Sequence, residues 1–479
     1  MRRTKIVCTI GPSSSKRGIL EKLLSAGMDV ARLNFSHGDY EQHAHSIGLL
    51  RDLSERMGRP LALLQDLSGP KVRLGTFAPF MLKRGETVGL SADPSASGVP
   101  GCTILPLPVP QLVSVLTPGA CLLVDDGKIE LKVTRKEGGI VWARCIIGGE
   151  LKPHKGVTAI GVAFDVPAVT QKDCDDLRFG LEHGVDWVAA SYVRSVKDLA
   201  PLYEIMRVAG KRLPVIAKIE KFEAVKNFDS LLAAVDGIMV ARGDLGVETP
   251  FDEVPIVQKH MIRECNRAGK PVITATQMLE SMIQNPRPTR AEAADVANAI
   301  LDGSDAVMLS GETAAGLFPV EAARTMARIA RRTEAAFFKD PDFARRLMAP
   351  RDITQSVARA TANIACEIGA AAILCATTSG GTARAVAQYR PRVPIVAATT
   401  DRGTYCQQAL TWGVTPLMIG PVTDTDQMMT STVEAAVRAR MVREGDTVVL
   451  TAGLPVNQVG TTNLIKVHVV GKPFRTQDI

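Results

Sequence analysis

Eight short apolar runs punctuate the first two thirds of the chain: Lys5–Thr9, Val30–Phe35, Leu61–Leu67, Trp187–Ser191, Pro214–Glu220, Gly237–Arg242, Pro271–Gln277 and Ala306–Ser310. A helical pattern follows each of them. Strands that alternate with helices predict βαβ units and a parallel sheet, and eight of them predict a closed (β/α)8 TIM barrel. One helix has both boundaries written in the sequence. Thr289 and Glu292 form a capping box, and Ala293, Val296, Ala297 and Ile300 recur at helical spacing. Gly303 then stops the run before the strand at Ala306.

Two stretches break this rhythm. From about Lys71 to Pro167 the pattern changes to short alternating segments with many Gly and Pro. Within it, Leu122–Val133 carries Asp126-Gly127 at a turn, a hairpin signal. This predicts a small β-barrel domain, residues 71–166, inserted after the third strand as a lid over a barrel of residues 1–70 and 167–345. Beyond the charged segment Lys339–Arg346, strands are expected at Ala372–Ala376, Val393–Ala398, Val414–Ile419, Thr447–Thr451 and Leu464–Val470, with helices between them. They predict a C-terminal open α/β domain over residues 346–479.

The chemistry gathers where the barrel runs end. Pro214–Ala217 closes on Lys218-Ile219-Glu220, and the next run closes on Ala241-Arg242-Gly243-Asp244. Strand side chains alternate between faces, so Lys218 and Glu220 point the same way, roughly 7 Å apart. Two carboxylates and an ammonium at neighbouring strand ends suit a hard divalent cation beside a phosphate. A structural ion pair at a sheet end fits the same residues when they are taken alone. The other ends carry Arg32, Asn34, Ser36, Asp66, Ser191, Thr276, Ser310 and Glu312. Polar groups at nearly every end describe one pocket, on the face where such barrels hold their active sites. A second candidate is Thr377-Thr378-Ser379-Gly380-Gly381-Thr382, between a strand and a helix of the C-terminal domain. Glycines and hydroxyls at a helix N-terminus can hold a phosphate, although a tight turn with an N-cap gives the same pattern and no Walker lysine follows.

Composition narrows the class. The 479 residues exceed one core, and 46% hydrophobic with 22% charged residues describe a soluble globular protein. The net charge of +7 comes without a long Lys/Arg block and favours small anions as much as nucleic acid. Aromatic residues at 4% argue against a base-stacking surface, so no nucleic-acid partner is expected. Nine scattered cysteines form no C-x-x-C pair and fit a reducing, cytoplasmic setting; Cys8, Cys145 and Cys375 are expected in cores. No signal peptide and no membrane-spanning run is expected.

Several long motifs resemble one family. Thr9-Ile10-Gly11-Pro12-Ser13, Arg32-Leu33-Asn34-Phe35-Ser36-His37-Gly38, Lys218-Ile219-Glu220, Ala241–Glu248, Ala275–Met282 and Leu309-Ser310-Gly311-Glu312-Thr313-Ala314 closely resemble pyruvate kinase, in order and over essentially the whole chain. The resemblance implies transfer of a phosphoryl group from phosphoenolpyruvate to ADP, giving pyruvate and ATP, the last step of glycolysis, by a homotetramer. It implies Mg²⁺ on Glu220 and Asp244, replaceable by Mn²⁺, and a second Mg²⁺ with the nucleotide. Lys218 and Arg32 would neutralise the phosphoryl group, and the Gly243 and Asp244 N–H groups would bind the substrate carboxylate. Thr276 would lie near the enolate carbon, and Ser310 in the substrate site. Asn34, His37, Arg73 and Lys155 would contact the nucleotide. Thr377–Thr382, with the Gly453–Gly460 loop, matches the position where relatives bind a sugar phosphate or nucleotide effector.

One departure carries a prediction. Members that need K⁺ have a Thr after the third-strand Asp and a Glu after the following Gly-Pro; here these positions are Leu67 and Lys71. Asn34, Ser36 and Asp66, the other matching ligands, remain. An ammonium can supply the charge that K⁺ would supply, so the enzyme is expected to be K⁺-independent, with Lys71 replacing the ion. Lesser departures are Thr158-Ala159-Ile160 where relatives have Asn-Leu-Pro, and Ala315 where many have Lys. Two other classes stay open on the residues alone: a metal-dependent aldolase or lyase acting on pyruvate enolates, and a non-catalytic phosphometabolite sensor.

Overall fold

The computed structural model describes residues 2–93, 95–96, 102–125, 127–162, 164, 166–250, 252–339, 350, 352–455, 460 and 462–474. Eight strands close a barrel: β1 (Lys5–Ile10), β2 (Val30–Asn34), β3 (Ala62–Asp66), β4 (Trp187–Ala190), β5 (Val215–Ile219), β6 (Gly237–Ala241), β7 (Val272–Ala275) and β8 (Ala306–Leu309). Each pairs in parallel with the next, and β8 returns to β1 through Lys5 opposite Ala306. Every barrel strand expected from the sequence is present; β1 is longer than expected by one residue, and the others are one to three residues shorter. The continuous apolar runs make sense in this setting, because a parallel strand covered by helices is buried on both faces. The Thr289–Glu292 capping box forms, with the Glu292 carboxylate also accepting from Ser281.

The barrel interior is filled by Val7, Val30, Ala62, Leu64, Ile216, Met239, Ile273 and Met308. Ala409 and Leu410 of the C-terminal domain join this cluster and plug the N-terminal end. There the Lys5 ammonium donates to the Val414 carbonyl at 2.7 Å, and the Trp187 indole donates to the Gln407 carbonyl at 3.3 Å.

The expected β domain follows β3. Its strands form an open six-stranded sheet, with Val157–Ala159 and Ile104–Pro106 at the edges, and a two-stranded ribbon of Phe80–Leu82 with Gly149–Leu151, rather than one closed barrel. The hairpin joins Cys121–Val124 to Ile129–Glu137 around Asp125, whose φ is 53°; Asp126 lies outside the described residues. The C-terminal sheet runs Val414–Met418, Ile395–Thr399, Ala372–Ala376, Thr447–Gly453, Thr462–Val469, parallel except for the last strand. Residues 340–346 of the charged segment, and with them the expected boundary at 345/346, lie outside the described residues. Cys8, Cys145 and Cys375 are core residues. Among the described residues no helix is long and apolar enough to cross a membrane.

Candidate active site

The polar groups expected at the C-terminal strand ends converge. Lys218 is the centre: its ammonium lies 2.8 Å from Glu220 Oε1 and 3.2 Å from Asp66 Oδ1, and donates to Ser191 Oγ at 2.7 Å. Asp66, fully buried, takes the Arg32 guanidinium on its other oxygen at 2.6 Å. Arg32 also donates to Thr9 Oγ1 at 2.9 Å. Four strands therefore contribute to one charge network, which aims two cations at the barrel mouth. Burial alone would drive Lys218 toward its neutral form, but Asp66 and Glu220 outweigh it and hold the ammonium above its ordinary pKa. Burial likewise opposes ionisation of Asp66; Arg32 and Lys218 reverse that and hold it below the usual carboxylate value.

Glu220 is 2% exposed, and burial raises its pKa, with Lys218 opposing. Its Oε2 accepts from the Tyr192 N–H at 2.7 Å. Asp244, in the first turn of the short helix Arg242–Glu248, makes no hydrogen bond or ion pair among the described residues and adds repulsion that helps raise Glu220. Among the described residues no three His, Cys, Asp or Glu side chains gather as a metal cage. Asp244, open to a ligand, and Glu220, which keeps a lone pair on each oxygen beside its Lys218 and Tyr192 contacts, suit a hard ion that takes its other ligands from substrate and water, as Mg²⁺ does at phosphates.

Thr276 sits just past β7 with φ 66°, a left-handed conformation that costs a β-branched residue roughly 1–3 kcal/mol. Three contacts hold it. Its hydroxyl donates to the Ala275 carbonyl at 2.6 Å and accepts from the Gly243 N–H at 2.7 Å, and Arg242 donates to its carbonyl at 2.7 Å. Arg242 is fixed in turn by Asp295, at 2.7 Å. The Gly243 N–H, expected to face a substrate carboxylate, is thus engaged by Thr276.

The matching family models are "Pyruvate kinase, barrel domain" over residues 1–323 and "Pyruvate kinase, alpha/beta domain" over residues 355–468. The chain is 47% identical over 475 residues to "Pyruvate kinase" of Geobacillus stearothermophilus, covering 98% of this chain and 80% of the relative. It is 46% identical over 475 residues to "Pyruvate kinase 2" of Synechocystis sp., with 98% and 79% covered. The chain belongs to the pyruvate kinase family.

Read as a pyruvate kinase, the barrel mouth has two sides. On the β1–β3 side lie Asn34, whose Oδ1 accepts from the Ser36 N–H at 3.1 Å, and exposed His37. Burial lowers the His37 pKa, and Arg73, Lys71 and Arg32 push it further down, which locates a cationic rim there. Arg73 donates to the His154 carbonyl at 3.0 Å, and Lys155 pairs with Asp125 at 2.8 Å, so two of the four expected nucleotide residues are fixed within the inserted domain. On the β4–β6 side, a cleft of about 390 Å³ opens between barrel and insertion, lined by Lys71, Tyr192, Arg194, Glu220, Lys221 and Asp244 among others. The Lys71 ammonium forms no ion pair among the described residues. Ser310 Oγ is buried without a partner, while its N–H donates to Glu312 at 2.7 Å.

Sequence reasoning did not single out Thr9, Tyr192 or Asp295 as site residues. A hydroxyl inside the apolar run of β1 was the available signal for Thr9; the other two are linked to the site by contacts 28 and 53 residues apart. In the C-terminal domain, Thr377, Thr378, Ser379, Gly381 and Thr382 line a cavity of about 130 Å³, with Gly453, Gly460 and Thr462 opposite. Gly380, at φ 76°, makes the turn into the helix Gly381–Gln388 without facing that cavity. Residues 456–459 of the facing loop lie outside the described residues.

Proposed function

We propose that this chain transfers the phosphoryl group of phosphoenolpyruvate to ADP, releasing pyruvate and ATP. The observation that carries the reading is the buried network of Lys218, Arg32, Asp66 and Glu220, with unpaired Asp244 beside it. Phosphoryl transfer asks a protein for positioning and charge neutralisation more than for covalent chemistry. Arg32 and Lys218 present cations that Asp66 orients from behind, so they are fixed before the substrate arrives. Glu220 and Asp244 would hold Mg²⁺, which when bound supplies Lewis-acid stabilisation of the enolate and phosphoryl oxygens. Ser310 offers an unpartnered hydroxyl to the substrate. Thr276 is strained toward the Gly243 turn, and its hydroxyl can exchange the Gly243 N–H for a substrate carboxylate contact. Asn34, His37, Arg73 and Lys155 would receive the nucleotide with its own Mg²⁺, and the insertion would act as the lid. An aldolase or lyase would need none of this cationic rim.

The same reading extends to K⁺. Leu67 and Lys71 stand at the two departing positions, and the Lys71 ammonium forms no ion pair among the described residues, which supports a site that does without the ion. Lys71 would supply the missing charge once the lid closes. We further assign the Thr377–Thr382 cavity to a phosphorylated effector, and the assembly to a homotetramer. The test is pyruvate release with phosphoenolpyruvate, ADP and Mg²⁺, with and without K⁺. Equal rates support both parts; K⁺-dependent rates overturn the Lys71 assignment alone, and no ADP-dependent pyruvate overturns the function. A companion expectation is that Lys71→Glu creates stimulation by K⁺.

A further inference from the structure

We propose that Tyr192 is a positioning residue: its backbone orients the Glu220 carboxylate, and its ring is the surface on which the hinge of the inserted domain bears. The inference rests on the proposed role of Glu220 toward the divalent ion.

Tyr192 lies just past β4 with φ 56°, a left-handed conformation rare for an aromatic residue. That turn aims its N–H at Glu220 Oε2, 2.7 Å away, while Lys218 holds the other oxygen at 2.8 Å. The carboxylate is therefore gripped from both ends, and one grip depends on an unfavourable backbone turn. Packing of the ring stabilises the turn. Gly69, two residues before Lys71 in the segment leading from β3 into the insertion, has φ 63°; a Cβ there would lie 2.6 Å from Tyr192 Cδ2 and 3.1 Å from Ser191 Cβ. Only glycine lets the hinge run this close to the ring. The Gly69 N–H is anchored at 3.0 Å on Asp173, which also closes the capping box of the helix Gln171–His183. On the other side the Lys221 ammonium stands 5.8 Å from the ring centroid. The phenol hydroxyl has no partner among the described residues, so the ring and the turn carry the function, and the hydroxyl does not. Movement of the hinge presses on the ring, the ring sets the turn, and the turn sets the N–H on Glu220. Lid posture and metal-carboxylate orientation thus share one contact.

The test compares substitutions that lose the same ring but differ in tolerance of a left-handed backbone. Mn²⁺ is titrated onto the whole enzyme without substrate, read by the electron paramagnetic resonance of free Mn²⁺, alongside the half-saturating Mg²⁺ and ADP concentrations in turnover. Tyr192→Phe should match the parent. Tyr192→Val, β-branched, should weaken Mn²⁺ binding about tenfold, as loss of groups that orient a metal ligand does. Tyr192→Asn, which accepts the left-handed turn, should weaken it much less. Gly69→Ala should weaken Mn²⁺ binding like Tyr192→Val, and adding Tyr192→Asn to it should recover part of the loss, because the Ser191 contact and the left-handed turn of Gly69 remain. Half-saturating ADP should change far less than Mn²⁺ affinity. Equal Mn²⁺ binding by the Val and Asn variants, or an unaffected Gly69→Ala, overturns the inference. If the parent itself fails to make pyruvate with Mg²⁺, the underlying reading of Glu220 fails instead.

Discussion

Lys218, at the C-terminal end of β5, and Lys5, at the N-terminal end of β1, are each 9% exposed, yet their proton affinities move in opposite directions. Burial disfavours the charged form of both. Around Lys218 two buried carboxylates, Asp66 and Glu220, override burial and lock the ammonium on. Around Lys5 burial wins: Asp29 and Glu334 favour its charge, Arg2 and Arg3 oppose it, and its pKa falls to about 8. Its hydrogen bond goes to a backbone carbonyl, an uncharged acceptor that adds no ion pair to offset burial. The same residue type, equally buried, is a fixed charge at one end of the barrel and a docking donor at the other. Neighbours decide the role, and the neighbours follow from which strand ends carry carboxylates.

Replacing each lysine by methionine breaks the comparison most directly. Lys218→Met should lower kcat on the order of 10³-fold, the scale for losing a fixed charge stabiliser in a phosphoryl-transfer site. Lys5→Met, on the far side of the barrel, should leave kcat within about twofold, since substitutions away from the site act mainly on stability. Steady-state pyruvate release decides it. A drop of less than about tenfold for Lys218→Met would remove the lysine from the chemistry.

Asp66→Asn tests whether the C-terminal network is held by its buried acid. The substitution removes the negative charge between Arg32 and Lys218 and turns one of the two acceptor oxygens into an NH₂ donor facing a cation. Breaking a buried ion pair on one side costs about 3–5 kcal/mol. Denaturant midpoints should fall accordingly, with kcat falling too because Arg32 and Lys218 lose their orienter. An unchanged midpoint would mean that the cations are held by Thr9 and Ser191 instead.

The two ends also differ in how far sequence discloses them. The C-terminal end was legible because strand periodicity puts Lys218 and Glu220 on one face, and because charged residues at the ends of apolar runs have few other uses. What escaped was the network behind them. Thr276 depends on Arg242, and Arg242 on Asp295, 53 residues away; no local pattern encodes that link. The left-handed turn at Tyr192 was invisible because a tyrosine carries no turn signal. Lys155 reads as a free cation, and its pairing with Asp125 comes from strand register inside the insertion. At the N-terminal end almost nothing was legible. Lys5 begins an apolar run like any strand-flanking lysine, and the plug residues Ala409 and Leu410 lie more than 400 residues further along the chain, in another domain.

The smallest effect is the most diagnostic for Lys5. Its native pKa of about 8 lies below the ordinary 10.5. Between those values the unfolded chain holds a proton that the native state has released. Stability must therefore rise with pH across this window, while below about pH 8 both states are protonated and the full burial penalty persists. The integrated gain is on the order of 3 kcal/mol for a shift of this size. Other groups also titrate in that range, so the informative quantity is the difference between parent and Lys5→Met. Methionine has no proton to release, so the parent should gain on the variant as pH climbs from about 8 to about 10. Denaturant midpoints for the two proteins across this range supply the difference. Parallel curves would mean that the ammonium stays charged beneath the plug, and the contrast between the two lysines would then be one of position alone.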